Sequence, residues 1–124
     1  MLKYILCTLI LLISTSIYAE NYCIINFTAK WCGPCQQMKN KVWKDQEMKK
    51  YLQDPDNNLI IREVDIDIEP DMYTGWKIKS VPTIIVVMWN ENTKKWEEVD
   101  RRTGFMEKVP LLKFLRKTVD KIKK

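Results

Sequence analysis

An apolar run from Tyr22 to Phe27 leads within a few residues into Trp31-Cys32-Gly33-Pro34-Cys35, and a stretch rich in Gln, Met, Lys and Glu follows. This juxtaposition constrains the fold more than any other feature of the chain. A short run that is apolar at almost every position suits a strand covered on both faces of a sheet. Pro34 fits the first turn of a helix, where its missing N–H is no loss. Cys32 then stands just before the helix N-terminus, and Cys35 on its first turn lies within disulfide range. Unsatisfied backbone N–H groups and the positive end of the helix dipole lower the pKa of a thiol so placed. One sulfur can attack a substrate disulfide and the other can resolve the mixed disulfide. Cys32 is therefore read as the nucleophile and Cys35 as the resolving thiol, with Gly33 letting a substrate approach closely.

The rest of the composition narrows the chemistry. The chain of 124 residues has no His, which removes imidazole bases, Ser-His-Asp triads and histidine zinc sites. A Cys-x-x-Cys pair is also half of a zinc site, but no second pair follows, so no metal is expected. Nothing in the sequence implies a cofactor. The net charge of +5 is mild, and the basic residues are spread among acids without interleaved aromatics, which disfavours nucleic-acid binding. Lys121, Lys123 and Lys124 suit the C-terminal end of a closing helix.

Residues 1–19 are unlike the remainder. Lys3 precedes sixteen uncharged residues, with an apolar core from Tyr4 to Ile13 and Ile17-Tyr18-Ala19 as a cleavage site. These are the three parts of a secretory signal peptide. The alternative is a membrane anchor over residues 4–19, because the run is only slightly shorter than a membrane helix. Cleavage after Ala19 would remove Cys7 together with Lys3, lowering the net charge from +5 to +4. The mature domain would then be residues 20–124, exported to a periplasmic or other extracytoplasmic space that permits disulfides.

Along that domain, helix is expected from Pro34 to about Leu52, with a break near Val42 to Asp45 and Asp45 capping the second piece. Asp54-Pro55-Asp56-Asn57 reads as a turn and Asn58 to Ile66 as a second buried strand. A short helix after Pro70 ends near Gly75. Thr83 to Trp89 is the strongest strand signal, Asn90 to Thr93 a hairpin turn, and Lys95 to Arg102 a polar edge strand. Gly104 marks a bend, and Val109 to Ile122 an amphipathic helix. The fold class is α/β, in the order β-α-β-α-β-β-α, with a mixed sheet flanked by helices on both faces.

Trp31-Cys32-Gly33-Pro34-Cys35 after a buried strand, with Val81-Pro82-Thr83 about fifty residues on, resembles the thioredoxin family. The resemblance covers roughly Tyr22 to Lys117. It implies that Pro82 is cis, lies against the cysteine pair, and with Val81 exposes backbone that pairs with an extended substrate. It implies that Gly104 lies beside Pro82 on the same rim, and Trp31 belongs to the apolar part of that rim. Phe27 to Cys32, Lys41 to Asp45 and Arg102 to Met106 look most like the C-terminal thioredoxin-like domain of the periplasmic disulfide reductase DsbD.

Two departures from the family stand out. The family usually has a buried Asp six residues before the nucleophile, which takes the proton of the resolving thiol, whereas this chain has Asn26. Glu63 stands where the family tends to place a Lys, so it is a candidate for proton transfer; the plainer reading is a solvated strand residue. In addition, only one strand fits between residue 20 and Cys32, so the usual first strand and helix are expected to be lacking.

Other conspicuous residues have plain readings. Cys23 suits an inert core thiol, and Trp43, Trp76, Trp89 and Trp96 suit packing. Asp65, Asp67, Glu69 and Asp71 lack the glycine and spacing of a calcium loop and read as a solvated acidic face. The expected activity is thiol-disulfide exchange with exported protein substrates, by a monomeric reductase that a membrane electron donor reloads. The alternative is a redox-inert binding or chaperone module whose Cys32–Cys35 disulfide is structural.

Overall fold

The computed structural model describes residues 22–57 and 59–123. The expected signal or anchor, and the expected lack of a first strand and helix, fall in residues 1–21, outside the described residues. The first strand, β1, is Tyr22–Thr28; the helix after it begins as α1, Gly33–Gln37, passes into a π-helical segment, Met38–Trp43, and resumes as α2, Gln46–Gln53. Then come β2 (Ile61–Asp65), α3 (Pro70–Gly75), β3 (Thr83–Asn90), β4 (Lys95–Thr103) and α4 (Lys108–Lys123).

The four strands form one sheet in the order β2-β1-β3-β4. β1 and β2 run parallel, and the remaining neighbours are antiparallel. This is the mixed sheet that the sequence implies. Successive side chains of a strand point to opposite faces, and β1 and β3 are apolar on both. Ile24, Ile84 and Val86 pack with Met38, Val42, Met48, Leu111 and Leu115 on one face. Ile25, Phe27, Ile85 and Val87 pack with Val64, Ile78 and the partly buried Met72 and Trp76 on the other. Phe27 is fully buried, so truncation to Ala would cost about 3–5 kcal/mol.

The interrupted helix has local causes. Asp45 has extended backbone and accepts from the Glu47 and Met48 N–H groups, so it caps α2 as its position suggests. Upstream, the π-helical segment carries Met38 and Val42 into the core and places Trp43 at its border. β2 is shorter than expected, Ile61–Asp65 rather than Asn58 to Ile66. Its ladder begins only where Ile24 of β1 meets Ile61, and exposed Ile60 precedes it.

Candidate active site

Cys32 and Cys35 are joined by a disulfide, with their Cα atoms 5.2 Å apart. Cys32 is the N-cap of α1, in extended conformation, and its Sγ accepts the Cys35 N–H at 3.2 Å. That interaction favours the thiolate once the pair is reduced, because a hydrogen bond to the charged form stabilises it. Gly33 and Pro34 supply the first helical positions and are exposed, while both cysteines are buried at 5% and 3% exposure. Only a narrow face of the pair is open to a partner.

The loop before β3 closes against this pair. The Val81–Pro82 peptide is cis, and the Val81 carbonyl oxygen lies 3.7 Å from Cys32 Sγ. Gly104, at φ +100°, donates its N–H to the Pro82 carbonyl at 2.7 Å. The expected neighbourhood of Cys32, Val81, Pro82 and Gly104 is thus present. Trp31 stands beside them with 69% of its surface exposed. Its indole N–H donates to Asp67 Oδ2 at 2.9 Å.

Behind the pair, on the face covered by α1, the sheet and helix leave a cleft of about 230 Å³. Asn26, Cys35, Lys39, Trp43 and Glu63 line it. Asn26 and Glu63 are register partners on β1 and β2 and therefore share this face. Glu63 is exposed, as its plainer reading has it, and it also faces the chamber that borders the resolving cysteine.

The known protein families place this arrangement. The family model "Thioredoxin" matches residues 14–117. This chain belongs to the thioredoxin family. Among its relatives, thioredoxin of Staphylococcus epidermidis is 30% identical over 76% of this chain and 79% of that protein. Thioredoxin of Rickettsia typhi is 29% identical over 77% of this chain and 80% of its own. A solution structure of a thioredoxin from Thermus thermophilus has the same fold, with a TM-score of 0.67 at 21% identity, covering 85% of this chain and 78% of that one.

The thioredoxin-family chain is a thiol-disulfide oxidoreductase with Cys32 and Cys35 as its Cys-x-x-Cys pair. Several contacts around its site escape a linear reading. Asp67, one of the run read as a solvated acidic face, holds the Trp31 indole, and Asp65 accepts the Asp67 N–H at 2.9 Å to shape that loop. Glu69 of the same run pairs with Arg62. Gln36 ties α1 back to the Ala29 carbonyl at 3.0 Å. Cys23, the third thiol, is half-buried against the opposite core and free. Burial pushes its pKa up, partly offset by the Arg62 guanidinium, so it suits packing better than exchange.

Proposed function

We propose that the protein is an exported protein-disulfide reductase that acts on extended segments of its substrates. The observation that carries this reading is the setting of Cys32 Sγ: capped by the Cys35 N–H, and 3.7 Å from the backbone of Val81. Among the described residues no backbone hydrogen bond uses the Val81 N–H, which leaves it for a substrate strand. Reduction begins when the Cys32 thiolate attacks one sulfur of a substrate disulfide. Cys35 then attacks Cys32, the Cys32–Cys35 bond forms, and the substrate leaves with both sulfurs reduced.

The reducing direction is supported by the Gly33-Pro34 dipeptide, which matches reducing members of the family. Export is supported by Lys3, the apolar run and Ala19. In an oxidising compartment such a protein must be reloaded, which favours a membrane electron donor as its partner. The segments that resemble the C-terminal domain of DsbD fit that place.

The reduction potential of the Cys32–Cys35 pair, equilibrated against glutathione or dithiothreitol buffers, tests the direction. A value near that of thioredoxin, about −270 mV, supports the reductase, and a value near −120 mV makes the protein an oxidant. A Cys35→Ser chain that accumulates mixed disulfides with exported proteins identifies the substrates. The N-terminal residue of the product secreted by an expressing cell tests cleavage after Ala19.

A further inference from the structure

The resolving thiol must lose a proton before it can attack, and Cys35 is 3% exposed. Its route out is the cleft on its inner side, at about 230 Å³ large enough for several waters, since each fills about 30 Å³. From β1 the cleft receives Asn26, an amide that neither accepts nor gives a proton at neutral pH. One carboxylate lines the cleft, that of Glu63, opposite Asn26 in the strand register. A second polar group points to water there: the Trp43 indole N–H is buried and has no partner among the described residues, and Trp43 lines the same cleft.

We infer that Glu63 is the proton relay for Cys35, acting through water held in the cleft by Asn26 and the Trp43 N–H. The inference rests on exchange by Cys32 and Cys35. In the mixed disulfide, the Cys35 thiol gives its proton through water to the Glu63 carboxylate. Its sulfur attacks Cys32 Sγ, the Cys32–Cys35 bond forms, and the bond from Cys32 to the substrate breaks. The electron pair leaves on the substrate sulfur, which takes a proton from solvent. Glu63 then releases its proton at its exposed edge. When the disulfide is reduced again, the carboxylate takes a proton from solvent and passes it through the same water to the Cys35 thiolate.

The charged group facing Glu63 from the helical side is Lys39, which lines the cleft on the π-helical segment. Asp65, two residues along the same face of β2, accepts the Asp67 N–H at 2.9 Å. From β1 the cleft receives the neutral Asn26 and Thr28, and from α2 the apolar Leu52.

The test is a single turnover of the reduced full chain with a disulfide-bonded peptide, quenched in acid and read by mass spectrometry, from pH 5.5 to 9. Glu63→Gln should accumulate the peptide mixed disulfide and slow its resolution at least tenfold at pH 6.5, a modest share of what a positioned base contributes. The deficit should close toward pH 9, where a free thiol ionises unaided. Glu63→Asp should keep much of the rate. Asn26→Asp added to Glu63→Gln should restore it by supplying a carboxylate on the facing strand. A Glu63→Gln chain that resolves the mixed disulfide at the parental rate, or is slowed equally at every pH, overturns the relay alone. A parental chain that forms no mixed disulfide overturns both the relay and the exchange reading.

Discussion

The Trp31 indole nitrogen lies 2.9 Å from Asp67 Oδ2, so the exposed ring beside the nucleophile is held by the loop that follows β2. A large apolar surface next to a reactive sulfur is most useful if it is already oriented when a substrate arrives, because ordering it on binding costs affinity. Asp67→Ala should therefore raise KM for a protein disulfide about three- to tenfold and leave the rate of the chemical step nearly unchanged. Folding stability should fall by less than about 1 kcal/mol, since the contact is solvent-exposed. Steady-state kinetics checks this, and a lowered kcat with unchanged KM would contradict it.

Gly104 and Gly33 border the same rim but obey different constraints. At Gly104 no atom lies within 4 Å of an added Cβ, yet φ is +100°, where L side chains are strained. Gly104→Ala should lower stability by about 1–2 kcal/mol and weaken the 2.7 Å bond from its N–H to the Pro82 carbonyl. Gly33 has equal space and no such backbone constraint. Gly33→Ala should be neutral or stabilising by up to about 1 kcal/mol. Urea unfolding of the two variants side by side separates backbone strain from crowding.

The contrast between what was and was not legible in the chain is physical. Cys32, Gly33, Pro34 and Cys35 carry their geometry locally, through a cap and a first-turn proline, and Asp45 announces its cap in the same way. The amphipathic helix from Lys108 to Lys123 and the apolar strand from Thr83 are periodic signals that need no partner to be recognised. The π-helical segment is different. A widened turn is set by how Met38 and Val42 meet the core, and only a break was legible there. The Trp31–Asp67 contact spans thirty-six residues and depends on where β2 ends. The cleft that joins Asn26, Cys35 and Glu63 follows from strand register, which the family resemblance suggested and residue patterns alone do not supply.

Tyr51 carries a buried hydroxyl with no partner among the described residues. Burial first of all pushes its pKa up to about 12, against the pull of the Arg116 guanidinium. That guanidinium lies 5.4 Å from the ring centroid, an interaction that needs only the ring. Tyr51→Phe keeps the ring and removes the unsatisfied group, so it should stabilise the fold by about 1 kcal/mol. A lowered urea midpoint would show that the hydroxyl has a partner in solution.

Cys23 gives a prediction about reagents rather than folding. Its thiol is half-buried and its pKa is raised by burial, while Cys32 and Cys35 are protected as a disulfide in the oxidised protein. At pH 7 the oxidised domain should react with a thiol reagent many times more slowly than a free cysteine, because the thiolate is the reacting form. Denaturant should restore the ordinary rate. After reduction, a fast phase from Cys32 should appear ahead of slow reaction at the half-buried Cys23 and the buried Cys35, and Cys23→Ala should remove only its own share of the slow reaction and leave the fast phase unchanged.

Acid and alkaline stability meet at the cap of α2. Lys108 Nζ lies 3.5 Å from Asp45 Oδ2 and 3.4 Å from Glu47 Oε2. Desolvation raises the Asp45 pKa, but the Met48 and Glu47 N–H groups and Lys108 outweigh it, and the carboxyl titrates below its ordinary value. With the folded pKa below the unfolded one, near 3.9, its stabilising effect is complete above about pH 4 and is lost as pH falls through the folded value. Asp45 first, and then Glu47, raise the Lys108 pKa. That contribution is complete below the unfolded pKa of about 10.4 and is lost as pH rises through the folded one. Asp45→Asn preserves an acceptor for the cap and removes only the charge. It should flatten the fall of the urea midpoint below about pH 4 and above about pH 10, with little change in helix content. Unchanged slopes on both limbs would show that the cap acts through its hydrogen bonds alone.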